Sequence, residues 1–146
     1  MVFNGIRYSF QVVDEAFNWA RTNNGILTAV FLRAKSDAGE GYIFPSDLDA
    51  AENLYTTDDS NAAHVAISDS NIRLLQHAAG IENIKVHSVT LIDPNREQLL
   101  HELDGSECIF TSDDIHESGT LTVDSINIKK FLGKSPVPVK VVKSRP

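Results

Sequence analysis

The stretch Ala63–Gly105 reads AHVAISDSNIRLLQHAAGIENIKVHSVTLIDPNREQLLHELDG. In it a short apolar run leads to an acid and then to a helix-spaced pattern, and the same succession follows again. His64–Ile67 has strand character, Ser68 or Asp69 stands as a helix cap, Ser70–Ala79 carries the helical spacing and Gly80 closes it. Ile84–Ile92 is a longer strand. Asp93 is a second cap, and Pro94 is a first helical residue, where a missing N–H costs nothing. That helix ends near Leu103, with Asp104 and Gly105 as its exit. At an offset of 24 residues Val65 aligns with Val89, Asp69 with Asp93, Asn71 with Asn95, Leu75 with Leu99 and His77 with His101. Two strand–cap–helix units in series predict a right-handed βαβ crossover and a parallel strand pair, hence an α/β fold.

Upstream, Ser9 is a candidate N-cap for a helix over Phe10–Thr22. Phe10, Val13, Phe17 and Ala20 lie on one stripe of it, and Gly25 stands past its end. Ile26–Leu32, ILTAVFL, is a continuous apolar run that suits a central strand covered on both faces. Gly41–Phe44 predicts a short strand halted by Pro45, and Ser46 a cap for a helix through Leu54. Thr56–Asn61 reads as a polar loop.

Downstream, Glu107–Thr111 predicts another strand. Gly119–Asp124 and Ile126–Leu132 alternate as an antiparallel hairpin. Pro136–Val142 alternates too, but its two prolines confine it to an edge. The expected architecture is one layered domain over residues 1–146. Its mixed sheet has a parallel centre, a C-terminal antiparallel hairpin and an edge strand, with helices packed on it and a frayed basic tail at 143–146.

Charge is distributed unevenly. The formal net charge is −7. Between Ser36 and Ile72 no Lys or Arg occurs, whereas Asp37, Glu40, Asp47, Asp49, Glu52, Asp58, Asp59 and Asp69 do; Lys129–Pro146 holds six Lys or Arg and no acid. Such a field repels a phosphate backbone, so nucleic acid is not an expected partner; a basic protein surface is. Acids spread over loops also keep a protein soluble without further purpose. The single cysteine, Cys108, rules out an intrachain disulfide. With no signal-like start and no bilayer-length apolar run, the chain reads as cytoplasmic, with no membrane partner.

Chemistry-bearing signals are sparse. Asp69, Asp93, Asp113 and Asp114 each follow an expected strand, where open α/β sheets bind ligands. Carboxylates gathered there could hold Mg²⁺ and orient a phosphate. An Asp in that place also caps the next helix, which accounts for Asp69 and Asp93 but not for Asp113 and Asp114, since no clear helix follows them. The order of Asp93, Thr111 and Lys134 resembles the strand-end Asp, later Thr and pre-proline Lys of phosphoacceptor receiver domains. The paired acids after a first strand are absent, however, and the interval from Asp93 to Thr111 is too short, so membership is not inferred. None of the five histidines makes an i, i+4 pair, and no zinc site is expected. No P-loop, G-x-G-x-x-G or G-x-S-x-G occurs.

Three functions follow as expectations. The first is an acidic binding protein of inhibitor, immunity or adaptor type that contacts a basic partner through Asp37, Glu40, Asp47, Asp49, Glu52, Asp58 and Asp59, with no cofactor. The second is a Mg²⁺-dependent phosphohydrolase or phosphoacceptor that uses Asp69, Asp93, Asp113 and Asp114. The third is a homodimer or larger oligomer assembled through the Pro136–Val142 edge strand.

Overall fold

The computed structural model describes residues 1–4, 7–33, 48–115, 122–123 and 126–144, with backbone alone for 48–64, 122–123 and 126–127. In chain order the elements are β1 (Val2–Asn4), α1 (Phe10–Asn23), β2 (Leu27–Arg33), α2 (Leu48–Glu82), β3 (Val86–Ile92), α3 (Arg96–Leu103), β4 (Ile109–Ser112), β5 (Thr122–Val123), β6 (Ile126–Asn127), α4 (Ile128–Gly133) and β7 (Val139–Val142). The protein is a small α/β structure built on parallel strands and helices.

The apolar run at 26–32 becomes the middle strand. β2 pairs in parallel with β1 (Phe3 opposite Phe31) and with β3 (Val30 opposite Val89). β7 pairs in parallel with β4, Ile109 opposite Val139. β4 lies alongside β1 without a ladder between them; the Thr111 hydroxyl donates to the Val2 carbonyl at 3.4 Å and the Asn4 side-chain amide donates to the Ile115 carbonyl. The spatial order is therefore β3-β2-β1-β4-β7.

Because side chains alternate across a strand, β2 supplies two separate cores. Leu27, Ala29 and Phe31 join Phe3, Phe110, the buried stripe of α1 (Val12, Val13, Ala16, Phe17, Ala20) and Leu75 and Ala79 of α2. On the other face Val30 and Leu32 join Val2, Ile109, Leu99 and Leu103 of α3, and Ile128, Phe131 and Leu132 of α4. Two helices thus cover each face. α1 is bounded as its sequence predicts: the Ser9 hydroxyl accepts from the Val12 N–H at 3.3 Å, and Asn24, in the left-handed region at φ 50°, closes it. Gly25 follows because a Cβ there would overlap the Trp19 ring.

Several expectations are corrected. His64–Ile67 is not a strand, and Thr56–Asn61 is not a loop; both lie inside α2, which runs 35 residues. No glycine or proline interrupts Leu48–Ala79, and Ser68, Leu75 and Ala79, all buried, recur at helical spacing. A four-residue apolar run cannot by itself distinguish strand from helix, and here the longer period wins. Asp69 is consequently a mid-helix residue and not a cap, and the apparent repeat loses its first strand. The second helix starts later than expected: Asn95 caps it, its side chain accepting from the Gln98 N–H at 2.8 Å while the Gln98 side chain accepts from the Asn95 N–H at 2.9 Å. Asp93 instead takes φ 45° and donates its N–H to the Arg33 carbonyl.

At the C-terminal end, among the described residues, only Thr122–Val123 and Ile126–Asn127 pair antiparallel, apart from the other sheets; Ile128–Gly133 turns helical because Ile128, Phe131 and Leu132 must face one core. The edge segment narrows to Val139–Val142 and pairs parallel, so neither larger sheet is mixed among the described residues. The expected Gly41–Phe44 strand and the 143–146 tail fall wholly or partly outside the described residues. No helix among the described residues is long and apolar enough to cross a membrane.

Candidate functional site

β1, β2 and β3 run parallel, as do β4 and β7, and the contacts of Thr111 with Val2 and of Asp114 with Arg7 bring the ends of β1 and β4 to one side. There β1 passes into α1, on one face, while β4 is followed by α4, which packs on the other. Neighbouring strands whose connections part in this way leave a crevice at their carboxyl ends. Its volume is about 230 Å³, and Asn4, Arg7, Tyr8, Gln11, Ser112 and Ser144 are among the residues that line it.

Each of these residues is placed by the fold. Asn4 ends β1 and is buried, which its hydrogen bond to the Ile115 carbonyl makes tolerable. Arg7 follows and reaches across to β4, its Nη1 lying 2.7 Å from Asp114 Oδ2. Tyr8 stacks on Phe3, with ring centroids 5.5 Å apart. Its phenol is pushed up to about 12, chiefly by burial and secondarily by the Asp14 charge, so it stays a neutral donor. Ser9 and Gln11 bring the first turn of α1 to the wall, and that turn carries no acid.

Asp113 and Asp114, which no helix cap explained, are ties across the sheet end. The Asp113 carboxylate accepts the Ser144 N–H at 2.8 Å, while its own N–H donates to the Val142 carbonyl at 3.0 Å, fastening the end of β7 to β4. Asp114 accepts from the Ser112 hydroxyl and from Arg7, fastening β4 to the segment after β1. Both carboxyls sit below the usual carboxylate range. For Asp113 the Ser144 backbone N–H is the main cause; for Asp114 it is the Ser112 hydroxyl, followed by Arg7.

A folded-state pKa below the unfolded one gives stability that is present above the unfolded pKa, about 4, and is lost as pH falls through the folded value. Asp114→Asn is therefore expected to lower Tm at pH 7 by a small amount, since a partly exposed pair contributes about 1 kcal/mol or less. The gap from the unmodified protein should close as pH falls below about 4. A gap that persists at pH 2 in thermal melts would show that charge is not its origin.

The four strand-end acids do not converge. Asp69 is exposed within α2, and Asp93 follows β3, which β2 and β1 separate from β4 by about 14 Å at ordinary strand spacing. Among the described residues no three His, Cys, Asp or Glu side chains are grouped to hold a metal ion. His77, His87 and His101 are exposed, and Cys108 is half-buried against the first core. Of the expected partner-binding acids, Asp37, Glu40 and Asp47 lie outside the described residues, and Asp49, Glu52, Asp58 and Asp59 lie on the part of α2 described by backbone alone. Sequence reasoning missed Asn4, Arg7 and Tyr8. Their signal was position: they stand between the end of a parallel strand and the cap of the next helix. No protein-family model matches the chain, and neither does any curated protein.

Proposed function

We propose that this protein is a small-ligand-binding domain on a doubly wound βαβ scaffold, and that its crevice takes a compact molecule bearing a carboxylate or phosphate. The observation that carries the reading is the adjacency of β1 and β4, with connections leaving for opposite faces and Arg7 at the mouth between them. Ser9 takes the Val12 and Val13 N–H groups through its hydroxyl and carbonyl, so of the first-turn amides of α1 helix geometry leaves those of Phe10 and Gln11 for a ligand, and the positive end of its dipole faces the same space. Arg7 contacts Asp114 through Nη1, which leaves other guanidinium N–H groups for an anion. Titration calorimetry with inorganic phosphate and acetate is expected to show one saturable site. Arg7→Ala should weaken it at least tenfold, about the worth of one charge-assisted hydrogen bond. Arg73→Ala, on exposed α2, should leave it unchanged. Failure of both anions to bind sinks the reading.

Two partner readings have observations of their own. At 1.5 Å per residue the 35 residues of α2 extend about 52 Å, whereas the seven of β3 extend about 23 Å. The N-terminal half of α2, whose sequence carries Asp49, Glu52, Asp58 and Asp59, therefore extends past the sheet, and it is the part a basic protein would contact in this reading. Neutralising those four acids should abolish salt-sensitive binding of an oligolysine peptide; unchanged binding removes the idea. β7 pairs with β4 alone among the described residues, and Val141 is 57% exposed, as strand addition by a second copy through Pro136–Val142 requires. A monomeric mass by light scattering at high concentration counts against that.

A further inference from the structure

We infer that the crevice has an apolar annex, the cavity between α4 and β7, and that its ligand class is a carboxylate with a short hydrocarbon tail. This rests on the crevice reading above. The annex has a volume of about 500 Å³, with Ile115, Leu132, Pro136, Val137, Val139 and Val141 among its walls. It lies next to the crevice: Ser112 and Ile115 line both, so the two spaces share a wall.

Its origin lies in element length. α4 has six residues and covers about 9 Å, while four-residue β4 and β7 run about 13 Å, so the helix leaves part of their shared face open. What remains is a space with aliphatic walls beside a polar one. Lys129 lines it as well, while the carboxylate of Asp113, another lining residue, is engaged by the Ser144 N–H. Arg7 in the crevice keeps guanidinium N–H groups beyond the one that Asp114 engages, and these suit an anionic head. The aliphatic walls suit a chain, and the volume accommodates on the order of ten methylene-sized groups in a half-open space. A carboxylate of that length places its head by Arg7 and its tail past Ser112, against Leu132 and Val139.

The test is calorimetric titration of the full chain with acetate, hexanoate and decanoate, and with decanol as the uncharged control. Full burial of one methylene strengthens binding about fourfold. Affinity is therefore expected to rise at least thirtyfold from acetate to decanoate, with decanol weaker than decanoate. Gly133 lines the annex, and a Cβ there meets nothing within 4 Å, so the backbone tolerates a side chain and Gly133→Trp is the variant chosen to occupy the space. That variant, checked for an unchanged melting curve, should bind acetate normally and lose the dependence on chain length. If it melts early, Val141→Asp provides the same readout from an exposed wall residue. Equal affinity for all three acids overturns the annex and leaves the crevice reading intact. Undiminished decanoate binding by Gly133→Trp does the same. Binding by none of the acids overturns both, and decanoate binding that Arg7→Ala does not weaken overturns the shared site.

Discussion

Replacing Phe31 by alanine is expected to lower the unfolding free energy by about 4 kcal/mol. Phe31 is fully buried in the middle strand, in register with Phe3, whose ring it stacks on at 4.9 Å. It belongs to the core that joins the β1–β2 pair to α1 and to the C-terminal part of α2. The loss combines the transfer of a large aromatic side chain with a cavity that three elements would have to collapse to fill. Domains of this size have a total stability of about 5–15 kcal/mol, so the change is a large share of it. Urea denaturation followed by the Trp19 signal should show a lower midpoint at an unchanged slope. A shift worth less than about 1 kcal/mol, below the range for large-to-small core substitutions, would mean that the α1 face closes over the gap and that Phe31 is not central to it.

Leu99→Ala is expected to cost about 3 kcal/mol. Leu99 and Leu103 are the buried residues of α3, and Leu99 is fully buried in the core on the opposite face. α3 has only eight residues, too few to be stable without packing, so its docking depends on this pair. Because the strands separate the two cores, the double variant Phe31→Ala, Leu99→Ala should cost nearly the sum of the single ones. Coupling above about 0.5 kcal/mol, measured as a double-mutant cycle, would show that the two faces communicate through the backbone of β2.

Some elements were legible because several local signals agreed. α1 has a Ser cap, a wide apolar stripe and a close after Asn24. β2 is a run of seven apolar-rich residues between breakers. β3 was expected two residues early but in the right place. The failures share a cause. His64–Ile67 and Ile126–Leu132 are short runs that satisfy a two-residue period and a 3.6-residue period at once, and only the core they face selects one. The pairing of β7 with β4 is a choice between distant segments, 109–112 and 139–142, for which no neighbouring residue carries a signal. The crevice was half legible. Asp113 and Asp114 stood out because no helix followed to use them, but their partners, Arg7 and Ser144, are remote in the chain.

By itself the sequence determined which segments are apolar and how long each period runs, where caps and breakers stand, and that acids crowd the chain from Ser36 to Ile72 while bases crowd its end. Those are local properties, set by propensity and capping within a few residues. Only the tertiary structure decided that β1 and β4 are neighbours, that α1 and α2 share one face and α3 and α4 the other, and that Asp113 and Asp114 tie strand ends together instead of gathering around an ion. Strand order is set by which faces can be buried together, a property of the whole chain, and the crevice exists only where that order reverses.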